Sequence, residues 1–373
     1  MPPTPASAPS PAPRPHPTAP SPARSQRRPA PSTAVRARYV TPELSVFVVT
    51  ASEPARDGAL RPANGGLRLL PYPSDGACLA DGRRLAGLMA DKHSIYGTGF
   101  AGGKVVARAP DPQAAKDALL RATGLLLEAL GGAMVTGCDL NTTPRDMAQL
   151  SRLTPHVLAA IGSQIDASSC TAHGTLGALE AVQRQPGRAL VHGCGAVGGV
   201  VARDLIARGW TVWTVDLDPA RSAVPGARPL DPRSPWWRQP VDVLLPCSSS
   251  GLLGAPQVRQ LQASALVSAA NAPFRQPDGA RALAARGVLV LPDPLVNAGA
   301  VIADSIERYA PEAWAQAEPE TVYAFVAAAV RHRSERFLAH LRAGSEVRAA
   351  LGAVAAPAGE APIGLRFASW VAG

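Results

Sequence analysis

The chain has 373 residues, 46% of them apolar, enough for two domains with a core each. Its formal charge is +9, but six Arg and no acid fall in the first forty residues, so the remainder is nearly balanced and nucleic-acid binding gains little support. Five Cys without C-x-x-C spacing and seven unclustered His point to a reduced, cytoplasmic protein with neither a disulfide framework nor a metal, and no apolar run is long enough for a transmembrane helix.

Residues 1–38 are rich in Pro, Ala and Arg, with Pro at twelve of the first forty positions. Such a stretch cannot bury enough apolar surface to offset its ordering entropy, which predicts a disordered tail. It also lacks the apolar centre of a secretory signal.

Residues 39–155 carry the pattern of an α/β domain. Alternation at 44–50 and 66–70 predicts strands, and 75–90 an amphipathic helix with Leu79, Leu85 and Leu88 inward. Residues 103–107 predict a further strand and 112–130 a long helix. Lys92 falls at or just beyond the end of the first helix, where a lysine can simply satisfy carbonyls. Lys104 opens a strand behind Gly102 and Gly103, which would let backbone and ligand come close. Lys116 reads as a solvated residue on a polar helix face. These three are the only lysines among 37 basic side chains. Arg stays protonated, whereas a buried Lys can shift its pKa and trade a proton near neutrality. Residues 135–139 predict a strand that carries Asp139 at its end, toward the lysines. With Thr142 and Thr143 the same residue also reads as a helix N-cap.

Residues 156–330 read as a second domain. Helices at 144–153 and 172–184 lead to a short apolar strand and then Gly193-Cys194-Gly195-Ala196-Val197-Gly198, which opens a helix at 198–208. A second strand ends at Val215-Asp216. Strand, glycine turn, helix and acid together form a dinucleotide-binding fingerprint. Gly193 makes the turn, Gly195 admits a pyrophosphate, and Gly198 packs helix on strand, with Ala196 and Val197 at the helix N-terminus where anions are favoured. Asp216 is placed to accept from a ribose 2′-hydroxyl and would repel a 2′-phosphate, which favours NAD over NADP despite the nearby Arg221. Apolar runs at 241–246, 265–269 and 288–291 extend a parallel, doubly wound sheet with ligands at its carboxyl ends. Residues 331–373 are expected to be helical to Ala356 and to break at Pro357, Gly359 and Pro362.

Four separated segments occur in an order that resembles the glutamate/leucine/phenylalanine/valine dehydrogenase family. They are Gly65-Gly66-Leu67-Arg68, Met89-Ala90-Asp91-Lys92, Gly102-Gly103-Lys104 and Thr136-Gly137-Cys138-Asp139 with Thr142-Thr143, and the twelve-residue interval from Lys92 to Lys104 also fits. The resemblance runs from about Val40 to Glu307. It implies a cleft between an N-terminal α/β substrate domain and a Rossmann-type NAD domain, closed by the C-terminal helices. It further implies a homo-oligomer that oxidatively deaminates an L-amino acid to its 2-oxo acid and ammonia, without membrane or nucleic acid. Lys92 would hold the substrate carboxylate, Lys104 would be the catalytic base, and Asp139 would stabilise the iminium and relay protons. Gly66, Gly102, Gly137 and Asn297 would lie against the substrate, and Thr171, Cys247 and Asn271 against the cofactor. Three positions depart from the family: Ala101 replaces the first glycine of its Gly-Gly-Gly-Lys, and His93 and Ser94 follow the first lysine in place of small residues, close enough to bear on substrate choice. Gly137 resembles the phenylalanine-accepting branch, and a ring could use the space its missing methyl leaves. The same residues leave two other readings open: an NAD-linked imine or oxo-acid reductase of a specialised biosynthetic pathway, and a catalytically silent NAD-binding protein.

Overall fold

The structure, a computed structural model, describes residues 32–52, 61–357 and 359–372. The disordered tail expected over 1–38 lies outside them up to residue 31. Its last residues are a correction: β1 (Ser32–Val40) pairs antiparallel with β2 (Ser45–Ser52) along its whole length. Residues 32–40 hold a single proline-free run of alternating small and β-branched side chains, and a bulge between Val35 and Ala37 turns Arg36 to donate to Thr50 Oγ1 at 2.8 Å.

The first sheet also contains β3 (Ala63–Asn64), β4 (Leu67–Leu70), β5 (Ala101–Arg108) and β6 (Met134–Val135). Its order is β1-β2-β5-β3-β6, with β4 also on β5. Helices α1 (Asp75–Tyr96), α2 (Lys116–Ala129) and α3 (Pro144–Leu150) cover it. Val46, Leu67, Val105, Leu120 and Met147 are fully buried in its core. The strand expected over 135–139 is shorter, since only Met134 and Val135 join the sheet. Beyond them Thr136 bridges to Val157 and Cys138 to Leu67, so Asp139 sits on a loop held from both sides. Helix α2 begins four residues later than expected, and Lys116 is half-buried and paired. Its Nζ lies 3.2 Å from Asp146, which tethers α2 to the capping box of α3.

The second sheet follows α4 (Ala167–Val182). Its strands are β7 (Arg188–His192), β8 (Thr211–Val215), β9 (Arg228–Pro229), β10 (Val241–Pro246), β11 (Ala263–Val267) and β12 (Leu289–Leu291). The order β12-β11-β10-β7-β8-β9 is parallel throughout and reverses direction between β7 and β10, the place where doubly wound sheets open a ligand crevice. Helices α5 (Ala196–Ala207), α6 (Pro219–Ser222), α7 (Ala255–Gln260) and α8 (Gly279–Ala284) connect the strands, and α9 (Asp293–Val296), α10 (Gly299–Tyr309), α11 (Pro311–Gln316), α12 (Pro319–Arg342), α13 (Val347–Val354) and α14 (Ile363–Ala372) complete the chain. The boundary drawn at residue 330 falls inside α12, which is one continuous helix packed on α4. The break at Pro357 is real, but the chain re-forms α14 after Pro362.

A short segment at the end of α1 docks onto these helices. Ala356 N–H donates to the Ser94 carbonyl at 2.9 Å and Ile363 N–H to Gly97 at 2.8 Å. From α10, Ser305 Oγ donates to Thr98 O and Tyr309 Oη to Gly99 O, both at 2.8 Å. Gly97 takes φ +60° as the left-handed cap of α1, and that turn is what frees these carbonyls. No helix among the described residues is long and apolar enough to cross a membrane.

Candidate active site

Ser74 caps α1 by accepting from Ala77 N–H, and the helix then runs six residues past the expected end. Lys92 is therefore inside its last turns, 5% exposed, and its Nζ donates at 3.0 Å to Asn271 Oδ1, which follows β11 in the other sheet. That contact displaces the bland reading of a lysine satisfying its own helix carbonyls. Burial pushes the Lys92 ammonium down to about 8, with Asp293 opposing the shift and Lys104 adding to it. Lys104 projects from β5, and the two-residue period places it on the same face as Gly102, the face that α1 covers.

Lys104 Nζ lies 2.6 Å from Asp139 Oδ2. Arg68 Nε reaches the same oxygen at 2.8 Å, and its Nη1 contacts Asp81 at 3.2 Å. Tyr72 and Arg84 hold Asp81 in turn. Burial lowers the Lys104 pKa and Asp139 works against it; the second cation beside it is Arg68. Asp139 is itself pushed up by burial, but Lys104 and Arg68 hold it well below the usual carboxylate range, so it stays ionised. Asp139 is not the cap of the following helix. Thr143 is, with a capping box to Asp146, while Thr142 Oγ1 accepts from the Asp139 N–H and leaves the carboxylate free for the cations.

Three glycines expected against the substrate are required by close backbone packing. A Cβ on Gly102 would fall 2.3 Å from Ala86 O, so its absence lets α1 lie directly on β5. A Cβ on Gly66 would meet Cys138 O at 2.5 Å and the Asp139 Cβ at 2.8 Å, so its absence makes room for the loop that carries Asp139. On Gly137 it would strike the Leu158 carbonyl at 2.4 Å. The space credited there to a ring is therefore occupied by backbone. None of the three takes a positive φ; the requirement is close approach.

At the other sheet, Gly193 takes φ +90° and packs on Ser248, and Gly198 lies against the Gly193 carbonyl. Above Gly195 a Cβ would meet only Arg221 Nη1, at 4.0 Å, and α5 begins there at Ala196 and Val197 without a side-chain cap. An open glycine before an uncapped helix of this length fits a dinucleotide's phosphates. Asp216 directly follows β8 and accepts from Cys194 N–H at 2.7 Å and Asp218 N–H at 2.9 Å. Cys247 follows β10 and donates its N–H to His192 O. Thr171 does not open its helix, which starts at Ala167 behind Asp166; it is the fifth residue, and its hydroxyl donates back to Ala167 O at 3.0 Å. Asn297 is held by its amide on Ala269 O, so it braces the turn into α10. These residues all gather at the carboxyl ends of the second sheet.

Arg68 was visible in the Gly-Gly-Leu-Arg segment but its place on Asp139 was not. Asp293 and Asn64 carried no sequence signal at all, because Asp293 acts on Lys92 and Asn64 meets His93 only through the fold. His93 is fully enclosed: its Nδ1 faces Thr98 Oγ1 at 2.6 Å, its Nε2 the Asn64 carbonyl at 3.3 Å, and burial holds it neutral at about 3.

Residues 32–156 match the Glu/Leu/Phe/Val dehydrogenase dimerisation domain, and 216–356 the Glutamate/Leucine/Phenylalanine/Valine dehydrogenase model. A phenylalanine dehydrogenase of Caldalkalibacillus thermarum is 31% identical over 271 residues, 68% of this chain and 73% of the relative. An L-tryptophan dehydrogenase of Nostoc punctiforme is 32% identical over 259 residues, 66% of this chain and 73% of the relative. The crystal structure of L-tryptophan dehydrogenase from Nostoc punctiforme superposes with a TM-score of 0.68 at 24% identity, covering 92% of this chain and 97% of that one.

Proposed function

Since the chain belongs to the glutamate/leucine/phenylalanine/valine dehydrogenase family, oxidoreductases acting on the CH–NH2 group of amino acids, we propose that it oxidatively deaminates an L-amino acid with a large apolar or aromatic side chain, using NAD⁺. The products are the 2-oxo acid and ammonia. The observation that carries the reading is the buried Lys104–Asp139 contact at 2.6 Å, with Lys92 beside it and an open glycine turn across the cleft.

Lys92 supplies a point charge for the substrate carboxylate, exchanging Asn271 Oδ1 for it. NAD⁺ would be held at its phosphates by the Gly193–Gly198 turn and at its nicotinamide by Thr171 and Asn271, and would supply the acceptor for the hydride from the α-carbon. Lys104, with its pKa lowered by burial, takes a proton from the water that adds to the imine carbon. Asp139, ionised beside the cationic imine, receives the proton that Lys104 drew from the water and relays it to the departing amine. Arg68 holds that carboxylate in place from the far side. Asp216 supports NAD⁺ over NADP⁺, because a 2′-phosphate would lie against its carboxylate; Arg221 is 62% exposed and already turned to Asp218 at 3.5 Å.

NADH formation measured over a panel of L-amino acids at alkaline pH tests the reading. Turnover is expected for aromatic or large aliphatic substrates, slower with NADP⁺ by at least about a hundredfold, and Asp216→Ser should narrow that gap. No turnover on any amino acid with either cofactor would overturn it.

A further inference from the structure

Beside the lysines lies a polar pair that the reaction does not use. Asn64, 1% exposed, donates from Nδ2 to Asp304 Oδ2 at 3.0 Å, joining β3 to α10 across the two halves of the molecule. Asn64 Oδ1 is buried and receives no hydrogen bond among the described residues. A buried acceptor left bare costs about 1–3 kcal/mol, so a fold that keeps one has a use for it or a partner that arrives.

The pair borders the lysine site. Asn64 is in register with Gly102, two residues before Lys104, and with Val135, four before Asp139. Its carbonyl faces His93, next to Lys92. Its neighbours Gly65 and Gly66 lie against the Gly103 carbonyl and the Asp139 Cβ. The surrounding wall is apolar and aromatic: Phe100, Val135 and Leu158 pack with Tyr309, and the Phe100 and Tyr309 rings stand 5.4 Å apart. Asp304 keeps some exposure while Asn64 has almost none, so the open side of the pair is at Asp304. Burial, and then Glu307 one turn away, push Asp304 up to about 8, against the pull of the Asn64 bond. Glu307 is occupied by the Ala160 N–H and does not reach the pair.

We propose that Asn64 and Asp304 are specificity-determining residues, which accept a hydrogen bond from an N–H or O–H at the far end of an aromatic substrate side chain, such as an indole or a phenol. This rests on the deaminase reading above. An uncharged donor fits better than a cation: the site already holds Lys92, Lys104 and Arg68, and burial favours the neutral form of Asp304. The aromatic wall takes the ring, and the pair takes the donor. A site that hydrogen-bonds its substrate rejects the analogue without the donor, because its own polar groups are then buried bare.

The test compares kcat/KM for tryptophan with 3-benzothienylalanine, in which sulfur replaces the ring N–H at nearly the same volume, and for tyrosine with phenylalanine; lysine and ornithine are included. At least one donor-bearing member should exceed its donor-free partner by about tenfold or more, and Asp304→Leu and Asn64→Leu should each close that gap. Equal values within both pairs in the wild type would overturn the inference, as would a gap that survives both substitutions, or a preference for lysine or ornithine, which would make the pair a cation site. The wild-type panel decides even if a variant fails to fold, which melting curves would reveal. Turnover with no donor preference removes this inference alone; no turnover on any amino acid removes the deaminase reading and this one with it.

Discussion

Lys104 shows how one residue can hold two opposed requirements. Burial favours its neutral form, and Asp139 at 2.6 Å favours the charged one, so a small change in the cleft can move the proton between uses. Lys104→Ala and Lys104→Arg should each lower kcat by about a hundredfold or more, since a guanidinium cannot act as a base. NADH binding, followed by fluorescence, should stay within a few-fold. A Lys104→Arg enzyme with most of its kcat would remove the lysine from the chemistry. Gly137 gives the opposite lesson. Its missing side chain points at the Leu158 carbonyl, not at open space. Gly137→Ala should therefore cost about 1–3 kcal/mol of stability and leave the phenylalanine-to-leucine ratio of kcat/KM unchanged. A large shift in that ratio without loss of melting temperature would restore the glycine to the substrate pocket.

Among the elements, β1 and α1 do most to set up the site. β1 closes the outer edge of the first sheet over β2, and Val46, Val48 and Val49 of β2 are fully buried behind it. A chain that starts at Thr41 loses this strand and should melt at least about 5 °C below one that starts at Ser32. Equal melting temperatures would mean that β1 contributes no stability to the sheet. Helix α1 carries Lys92 into the cleft because it runs on to Tyr96 before the Gly97 cap. Its apolar periodicity fades after residue 90, so pattern alone ended it early. The last turns are stabilised by tertiary contacts, including Tyr96 Oη on the Leu295 carbonyl.

For the molecule as a whole, the site exists only where the two sheets meet. Lys92 on α1 touches Asn271 beyond β11, and Asn64 on β3 touches Asp304 on α10. Burying Lys92 is costly, with a consequence for pH. Its folded value of about 8 lies below the 10.5 of a free lysine, so the unfolded chain binds more protons between those limits. Stability attributable to this residue is thus lowest below pH 8 and recovers as pH rises toward 10.5. Lys92→Met should raise the melting temperature at pH 7, by up to about 3 kcal/mol equivalent, and the gain should shrink by pH 10. A gain of equal size at both values would show that charge burial is not its cause. The same variant should lose most of its affinity for the amino acid.

Much of this was legible from one chain. Local chemistry determined the glycine turn at 193–198, the acid at 216 and the parallel second sheet, because each depends on residues near one another in sequence. The resemblance carried by four short segments pointed to Lys92, Lys104 and Asp139 for the same reason: each segment is local in sequence. Tertiary structure alone decided the rest. Arg68 on Asp139, Asn271 on Lys92 and Asn64 on Asp304 join residues 71, 179 and 240 positions apart, and no local period encodes such a pairing. Which face a glycine leaves open was likewise undecided. Gly66, Gly102 and Gly137 lack a side chain on the side where a neighbouring backbone arrives, and only the packed fold says which neighbour that is.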